Sequence, residues 1–230
     1  LNILIIGDVM IDTYLWGKVD RISPEAPVPI VSITKKENRL GGAANVALNI
    51  QSLGATPILC AVIGDDYEGD EFLNLLKKQN LTEAGIVRVK DRPTTVKTRV
   101  IGHNQQIVRL DAETDRNITT ETTSLLSDKI QEIIQDQAID AIVFEDYDKG
   151  LITEELIWQT VSLANLKQII TVVDPKKRNF LLYQNVTLFK PNLKELREGL
   201  KLDVDPRSPH DLGKAVDTLQ EQLNAKMVMV

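Results

Sequence analysis

Five polar residues follow short apolar runs closely enough to share one surface. Asp8 comes after Leu1–Ile6, Asp65 after Pro57–Ile63, Asp146 after Ile139–Phe144, Asp174 after Gln168–Val173 and Asn192 after Val186–Phe189. If those runs are parallel strands, carboxylates and an amide gather at the carboxyl edge of one sheet, where such folds bind ligands. Turn and capping chemistry accounts for some of them as well. A second group is Gly41-Gly42 with Asn45 three residues on. Glycines let a backbone take positive φ and approach a ligand, and a helix start offers free N–H groups to polar or anionic ligands. The same dipeptide also serves as a plain turn into a helix. A third group, Lys97, Arg99 and Arg109, lies on alternating runs and is suited to an anion. The alternative is a solvated strand face.

The elements that must position these groups follow from periodicity. Leu1–Ile6 reads as a buried central strand, with Asp8 and Asp12 where its carboxyl end opens. Thr13–Val19 and Ile30–Lys35 read as strands with no helix between them, joined by a linker holding Pro24, Pro27 and Pro29. From Ala43, the residues Ala43, Val46, Ala47, Ile50 and Leu53 predict the apolar face of a helix. Strand, helix and strand then follow at 57–63, 67–79 and 85–89. A second excursion pairs 94–101 with 106–110. Helices at 121–135, after Thr153 and after Ser208-Pro209 alternate with strands at 139–144, 168–173, 186–189 and 226–230. The expected fold is a three-layer α/β/α domain with a mostly parallel central sheet. The two excursions, about 13–35 and 94–111, are expected to form a small β lid.

Composition excludes several classes. The chain has 230 residues and a formal net charge of −6, which argues against a generic nucleic-acid binder. With His103, His210 and the single Cys60, zinc clusters and Cys/His nucleophile pairs lose support. There is no Walker-type phosphate loop and no Gly-x-Gly-x-x-Gly fingerprint. Cys60 sits in an apolar run and predicts a buried thiol in a reducing compartment, so a cytoplasmic setting is expected. Leu1–Ile6 is too short for a signal-peptide core, and no apolar run has the length of a membrane span.

The stretch Leu40-Gly41-Gly42-Ala43-Ala44-Asn45-Val46-Ala47, with Gly54 after the helix and Gly64 after the next strand, resembles the first signature of the ribokinase-like (PfkB-type) carbohydrate kinases. A narrower resemblance is to D-glycero-β-D-manno-heptose 7-phosphate kinases. It rests on Gly7 through Asp12, Arg21 through Pro29, Asn104-Gln105-Gln106, Arg109-Leu110-Asp111, Asp146-Tyr147, Lys149-Gly150 and Asp174-Pro175-Lys176. The run Arg-Ile-Ser-Pro-Glu-Ala-Pro-Val-Pro is its most diagnostic part.

The resemblance implies ATP-dependent phosphorylation of the anomeric hydroxyl of that sugar phosphate, in ADP-heptose synthesis for lipopolysaccharide. Asp12, Gly41, Gly42 and Asn45 are then expected to hold sugar hydroxyls. Arg21, Lys97, Arg99, Arg109 and Lys149 are expected near the substrate phosphate, with Asn104, Gln106 and Asp146 completing the substrate residues. Asn192 and Glu195 match an Asn-x-x-Glu motif that organises ATP and Mg²⁺, with Glu195 toward the metal and Asp174 and Lys176 beside the nucleotide. The same pair also fits a plain capping box. The family's Gly-Ala-Gly-Asp motif, which carries its catalytic base, does not occur. The expectation is an incomplete kinase domain whose base lies beyond Val230, and a homodimer formed through the β lid. Two alternatives remain, namely another sugar kinase of this family and a non-catalytic sugar-phosphate-binding module.

Overall fold

The computed structural model describes residues 1–103 and 105–230. In chain order the elements are β1 (Asn2–Gly7), β2 (Val9–Ile22), β3 (Pro29–Gly42), α1 (Ala43–Ser52), β4 (Thr56–Gly64), α2 (Tyr67–Lys78), β5 (Ile86–Val89), β6 (Val96–Gly102) and β7 (Gln105–Ala112). There follow α3 (Thr120–Asp136), β8 (Ala141–Glu145), α4 (Glu154–Leu166), β9 (Ile170–Asp174), β10 (Leu188–Phe189), α5 (Leu193–Leu200), α6 (Pro209–Leu223) and β11 (Met227–Val228). No helix of the described residues is long and apolar enough to cross a membrane.

Seven strands form one sheet in the order β11-β10-β9-β8-β1-β4-β5, and the pairings are parallel. Strand order reverses at β1, which has β4 on one side and β8 on the other. That reversal opens a crevice at the carboxyl ends. Continuous apolar runs build the centre of this sheet because both of its faces are covered. Leu4, Ile5 and Ile6 are fully buried, as are Cys60 and Ala61 of β4. α1 packs on β1 and β4, and α3 packs beside α4. Thr153 caps α4 by accepting from Leu156 N at 3.2 Å, and Ser208 caps α6 by accepting from Asp211 N at 3.2 Å. The helices therefore begin where their caps predict.

The second sheet has the order β3-β2-β6-β7. β2 with β3 and β6 with β7 are antiparallel, and parallel pairing of β2 with β6 joins the two excursions. Its strands are longer than periodicity predicts. Antiparallel pairing runs from Val9↔Gly42 to Ile22↔Pro29, carrying the polar stretch Lys35 through Arg39 into a strand. Asp12 thus lies inside β2, not in a loop after β1. One face of this sheet presents Asp12, Tyr14 and Trp16. The other presents Ile11, Thr13 and Leu15, which with α2 enclose a cavity of about 160 Å³. Thr13 Oγ1 donates to Asn38 Oδ1 at 2.8 Å, and Asn38 Nδ2 donates to Glu71 Oε1 of α2 at 3.1 Å.

α1 keeps its predicted face through Ala43, Val46, Ala47 and Ile50, adds Ala44 to it and leaves out Leu53, which lies just past the helix. Ala43, Ala44 and Ala47 are fully buried, whereas Leu53 is 86% exposed. The helix turns its alanine edge to the sheet because small side chains allow a closer approach. Gly7 shows the same constraint. A Cβ there would overlap the Glu145 carbonyl and come within 3.0 Å of Ala43 Cβ. Gly7→Ala must part β1 from β8 or from α1, and a loss of about 3 kcal/mol in urea denaturation is expected.

Candidate active site

The crevice is shaped by two buried carboxylates at the ends of β1 and β8. Asp8, 3% exposed, accepts from three backbone N–H groups of the loop after β8: Tyr147 at 3.0 Å, Lys149 at 3.1 Å and Leu151 at 3.1 Å. Burial pushes its carboxyl pKa up and nearby Asp146 adds to this, while the three N–H donors oppose it. Asp146, 2% exposed, accepts from Asp148 N at 2.8 Å, Asn179 Nδ2 at 3.0 Å and Tyr183 Oη at 3.0 Å. Asp148 and Gly150 take φ of 60° and 84°, and a Cβ at Gly150 would overlap the Arg116 carbonyl. Arg92 Nη2 donates to the Lys149 carbonyl at 2.5 Å. Every turn of this loop is therefore held, and Lys149 projects from it in one place.

Opposite stands the glycine turn. Gly42 ends β3 with φ 59° and is the N-cap of α1, with no side chain capping the helix. Ala43 N donates to the Asp8 carbonyl at 2.9 Å. A Cβ on Gly41 would collide with the Asp12 carboxylate. These glycines are needed because Asp8 and Asp12 come so close, and the helix start that results is free of side-chain caps. Asn45 is exposed in its first turn.

Above the turn, cross-strand register sets a row of alternating charge: Arg39, Asp12, Lys97 and Asp111. Arg99 donates to Asp12 Oδ1 at 2.5 Å, and Arg39 and Arg99 both lie over the Tyr14 ring, which stacks on Trp16. Lys97 Nζ lies 3.2 Å from Asp111 and 2.7 Å from Glu113, and Lys149 Nζ lies 2.6 Å from Glu113. Arg109 pairs with Asp111 at 2.9 Å. Burial raises the pKa of Glu113, but hydrogen bonds from Lys149 and Lys97 outweigh it and hold the carboxyl low.

A second cluster occupies the edge at β9 and β10. Asn192 accepts from Glu195 N at 2.9 Å, and Glu195 Oε2 accepts from Asn192 N at 2.8 Å, a reciprocal cap at the start of α5. Glu195 Oε1 is 2.5 Å from Lys176 Nζ, and Asp174 pairs with Lys190 at 2.9 Å and Lys176 at 3.7 Å. Glu145, in register with Asp174, has its carboxyl pushed up to about 7 by burial and by that neighbour, against Lys190 and Lys176. Among the described residues no three His, Cys, Asp or Glu form a metal cage. One or two carboxylates still fit a Mg²⁺ that takes its other oxygens from phosphates and water.

The structure thus brings together Asp12, Gly41, Gly42, Asn45, Lys97, Arg99, Arg109 and Lys149, and separately Asp174, Lys176, Asn192 and Glu195. Asp146 is enclosed and holds the loop in place, with both oxygens engaged. Arg21 stands exposed at the far tip of β2, about 30 Å along the strand from Asp12 at 3.3 Å per residue. Gln106 is exposed on β7 opposite Ile101. Asn104 lies outside the described residues. Sequence reasoning missed Glu113, Glu145 and Arg92. The spacing of Asp111 and Glu113, two apart at the end of a strand, was a usable signal for the first. The other two gain their character only from tertiary neighbours.

The sequence profile of the pfkB family carbohydrate kinases matches residues 1–230. Bifunctional protein HldE of Helicobacter pylori (strain P12) is 43% identical over 229 residues, covering 100% of this chain and 49% of that protein. Bifunctional protein HldE of Wolinella succinogenes is 35% identical, covering 100% and 48%. The chain spans about half the length of these curated relatives. Among solved structures, phosphofructokinase-2 from Escherichia coli in complex with substrates and products is similar with a TM-score of 0.74 at 22% identity, covering 99% of this chain and 72% of that one. The same enzyme in complex with fructose-6-phosphate gives 0.73 at 21%, covering 98% and 72%.

Glu145 yields a pH test. It keeps its proton to about pH 7 in the folded state, against 4.5 for an ordinary glutamate. Its contribution to stability is full below pH 4.5 and is lost as pH rises through 7. Glu145→Gln stays neutral, so it should gain about 2 kcal/mol on the parent protein between pH 5 and pH 8. Urea denaturation at each pH measures this, and parallel curves would refute it.

Proposed function

Because the chain belongs to the pfkB family of carbohydrate kinases, we propose that it transfers the γ-phosphoryl group of ATP to the anomeric hydroxyl of D-glycero-β-D-manno-heptose 7-phosphate. The product is the 1,7-bisphosphate, an intermediate toward ADP-heptose for lipopolysaccharide, formed in the cytoplasm. The observation that carries this reading is the meeting of Asp12, set against Gly41 and held by Arg99, with Lys97 and Lys149 at one crevice. A carboxylate accepts from sugar hydroxyls, and the lysines and arginines answer a phosphate. The similarity to HldE proteins, which runs along the whole of this chain and about half of theirs, and the Arg21–Pro29 run favour the heptose substrate over other sugars.

In this reading Asp12 and Asn45 orient the ring, and the bare start of α1 adds N–H dipoles. Lys176, Asn192, Glu195 and Asp174 serve the ATP side, with the reciprocal Asn192–Glu195 cap fixing the carboxylate in place. Glu195 would hold Mg²⁺, directly or through water, and the ion would neutralise charge on the phosphates as the group moves. The second sheet acts as a lid that keeps water from competing as acceptor. Ile33, Val108 and Leu110, 58%, 43% and 56% exposed on the lid's other face, support a homodimer formed lid to lid.

ADP release by the full-length protein, measured with heptose 7-phosphate, fructose 6-phosphate and ribose, tests the reading. Turnover of an unphosphorylated sugar alone would overturn it. Asp12→Asn should lower kcat/KM by roughly 100-fold, because the amide keeps one acceptor oxygen in place of two and gives up the charged hold on Arg99.

A further inference from the structure

Most cations facing the crevice sit beside a carboxylate on their own or a neighbouring strand. One pairing is different. Glu113 leaves the sheet one residue after β7 and spans two elements, with Oε2 on Lys97 of β6 at 2.7 Å and Oε1 on Lys149 of the loop after β8 at 2.6 Å. All three side chains are largely enclosed, at 23%, 14% and 20% exposure. Glu113 thus serves two ammonium groups, each oxygen meeting one of them, while Lys97 also reaches Asp111 at 3.2 Å, a carboxylate it shares with Arg109. Two oxygens of a phosphoryl group can make the same pair of contacts, and bring a second negative charge. Behind Lys149, Arg92 spends Nη2 on the Lys149 carbonyl, while its Nη1 is buried without an acceptor among the described residues. With Glu113 and Asp111 set against Lys97, Lys149 and Arg109, the cations here outnumber the carboxylates that pair with them.

We propose that Glu113 occupies the seat of the substrate's phosphate group between Lys97 and Lys149, and that the phosphate takes this seat by displacing it. The inference rests on the reading that the substrate is a sugar phosphate. Glu113 is then a resident counterion that sets specificity. A neutral sugar cannot exchange with it, because Lys149 would lose its carboxylate and Lys97 would keep only the one it shares with Arg109. A singly charged group gains nothing by the exchange, and a dianion does. The lysines are also spared the repulsion they would suffer if the seat stood open.

The test is calorimetric titration of the full chain with inorganic phosphate. Glu113→Gln should bind phosphate roughly tenfold more tightly than the parent, since the competing charge is gone while the shape remains. Adding Lys149→Met to Glu113→Gln should abolish the gain. Glu113→Asp keeps the charge on a shorter arm that cannot reach both lysines, and should give an intermediate gain. Circular dichroism verifies folding of each variant. Unchanged or weaker phosphate binding in folded Glu113→Gln would overturn the inference, as would a gain that survives loss of Lys149. Failure of both Glu113 variants to fold would also overturn it, making Glu113 a structural tie. Kinase assays separate the two readings. Tighter phosphate binding without heptose 7-phosphate turnover by the parent strikes the proposed function alone. Turnover without tighter binding strikes this inference alone.

Discussion

The carboxylate of Asp8 holds the crevice together. It stands at the one place where strand order reverses, between β1 and the glycine turn, and gathers three N–H groups from the loop after β8. A buried charge without partners is costly, and a buried charge with three donors becomes a rigid joint. Its own carbonyl receives Ala43 N, so one residue ties the first strand to α1 and to the loop bearing Lys149. Asp146 repeats the device one layer out, through Asn179 and Tyr183. Both aspartates build the site without entering it.

On this frame the second sheet sets charges of opposite sign side by side. Its strands bring Arg39, Asp12, Lys97 and Asp111 into one row, and a diagonal contact joins Asp12 to Arg99. Such rows cost little because each charge has a neighbour of opposite sign and none is fully enclosed. They also leave the crevice rich in groups whose partners a charged ligand can replace. The edge at β9 and β10 follows the same rule, with Lys176 between Asp174 and Glu195, and Lys190 on Asp174. Glu145 is the exception. It lies beside Asp174 in a half-buried place and keeps its proton instead.

Local signals account for much of this. Continuous apolar runs gave away the buried strands, and Thr153 and Ser208 marked helix starts because a cap works through the three residues that follow it. The Gly41-Gly42 pair pointed to a close approach, although the bodies that approach are Asp8 and Asp12 of the same chain. Polar residues after strands were found as a class, but not sorted. Asp8 and Asp146 became joints, while Asp174 and Asn192 stayed at the edge. Depth decides between these roles, and depth is not written in spacing.

Sequence by itself determined the alternation of strand and helix, the family and the residue types that meet at the crevice, because periodicity, caps and motif spacing act over a few residues. Only the tertiary structure decided which cation meets which carboxylate, since Lys97, Glu113 and Lys149 come from three segments joined by sheet register and a pinned loop. It alone set Arg21 far from Asp12, by extending β2 through a polar stretch that only pairing with β3 holds straight. It also buried Ala44 beside the Ala43 and Ala47 that spacing predicts, and left Leu53 outside, because the distance between helix and sheet is settled by the bodies that pack there.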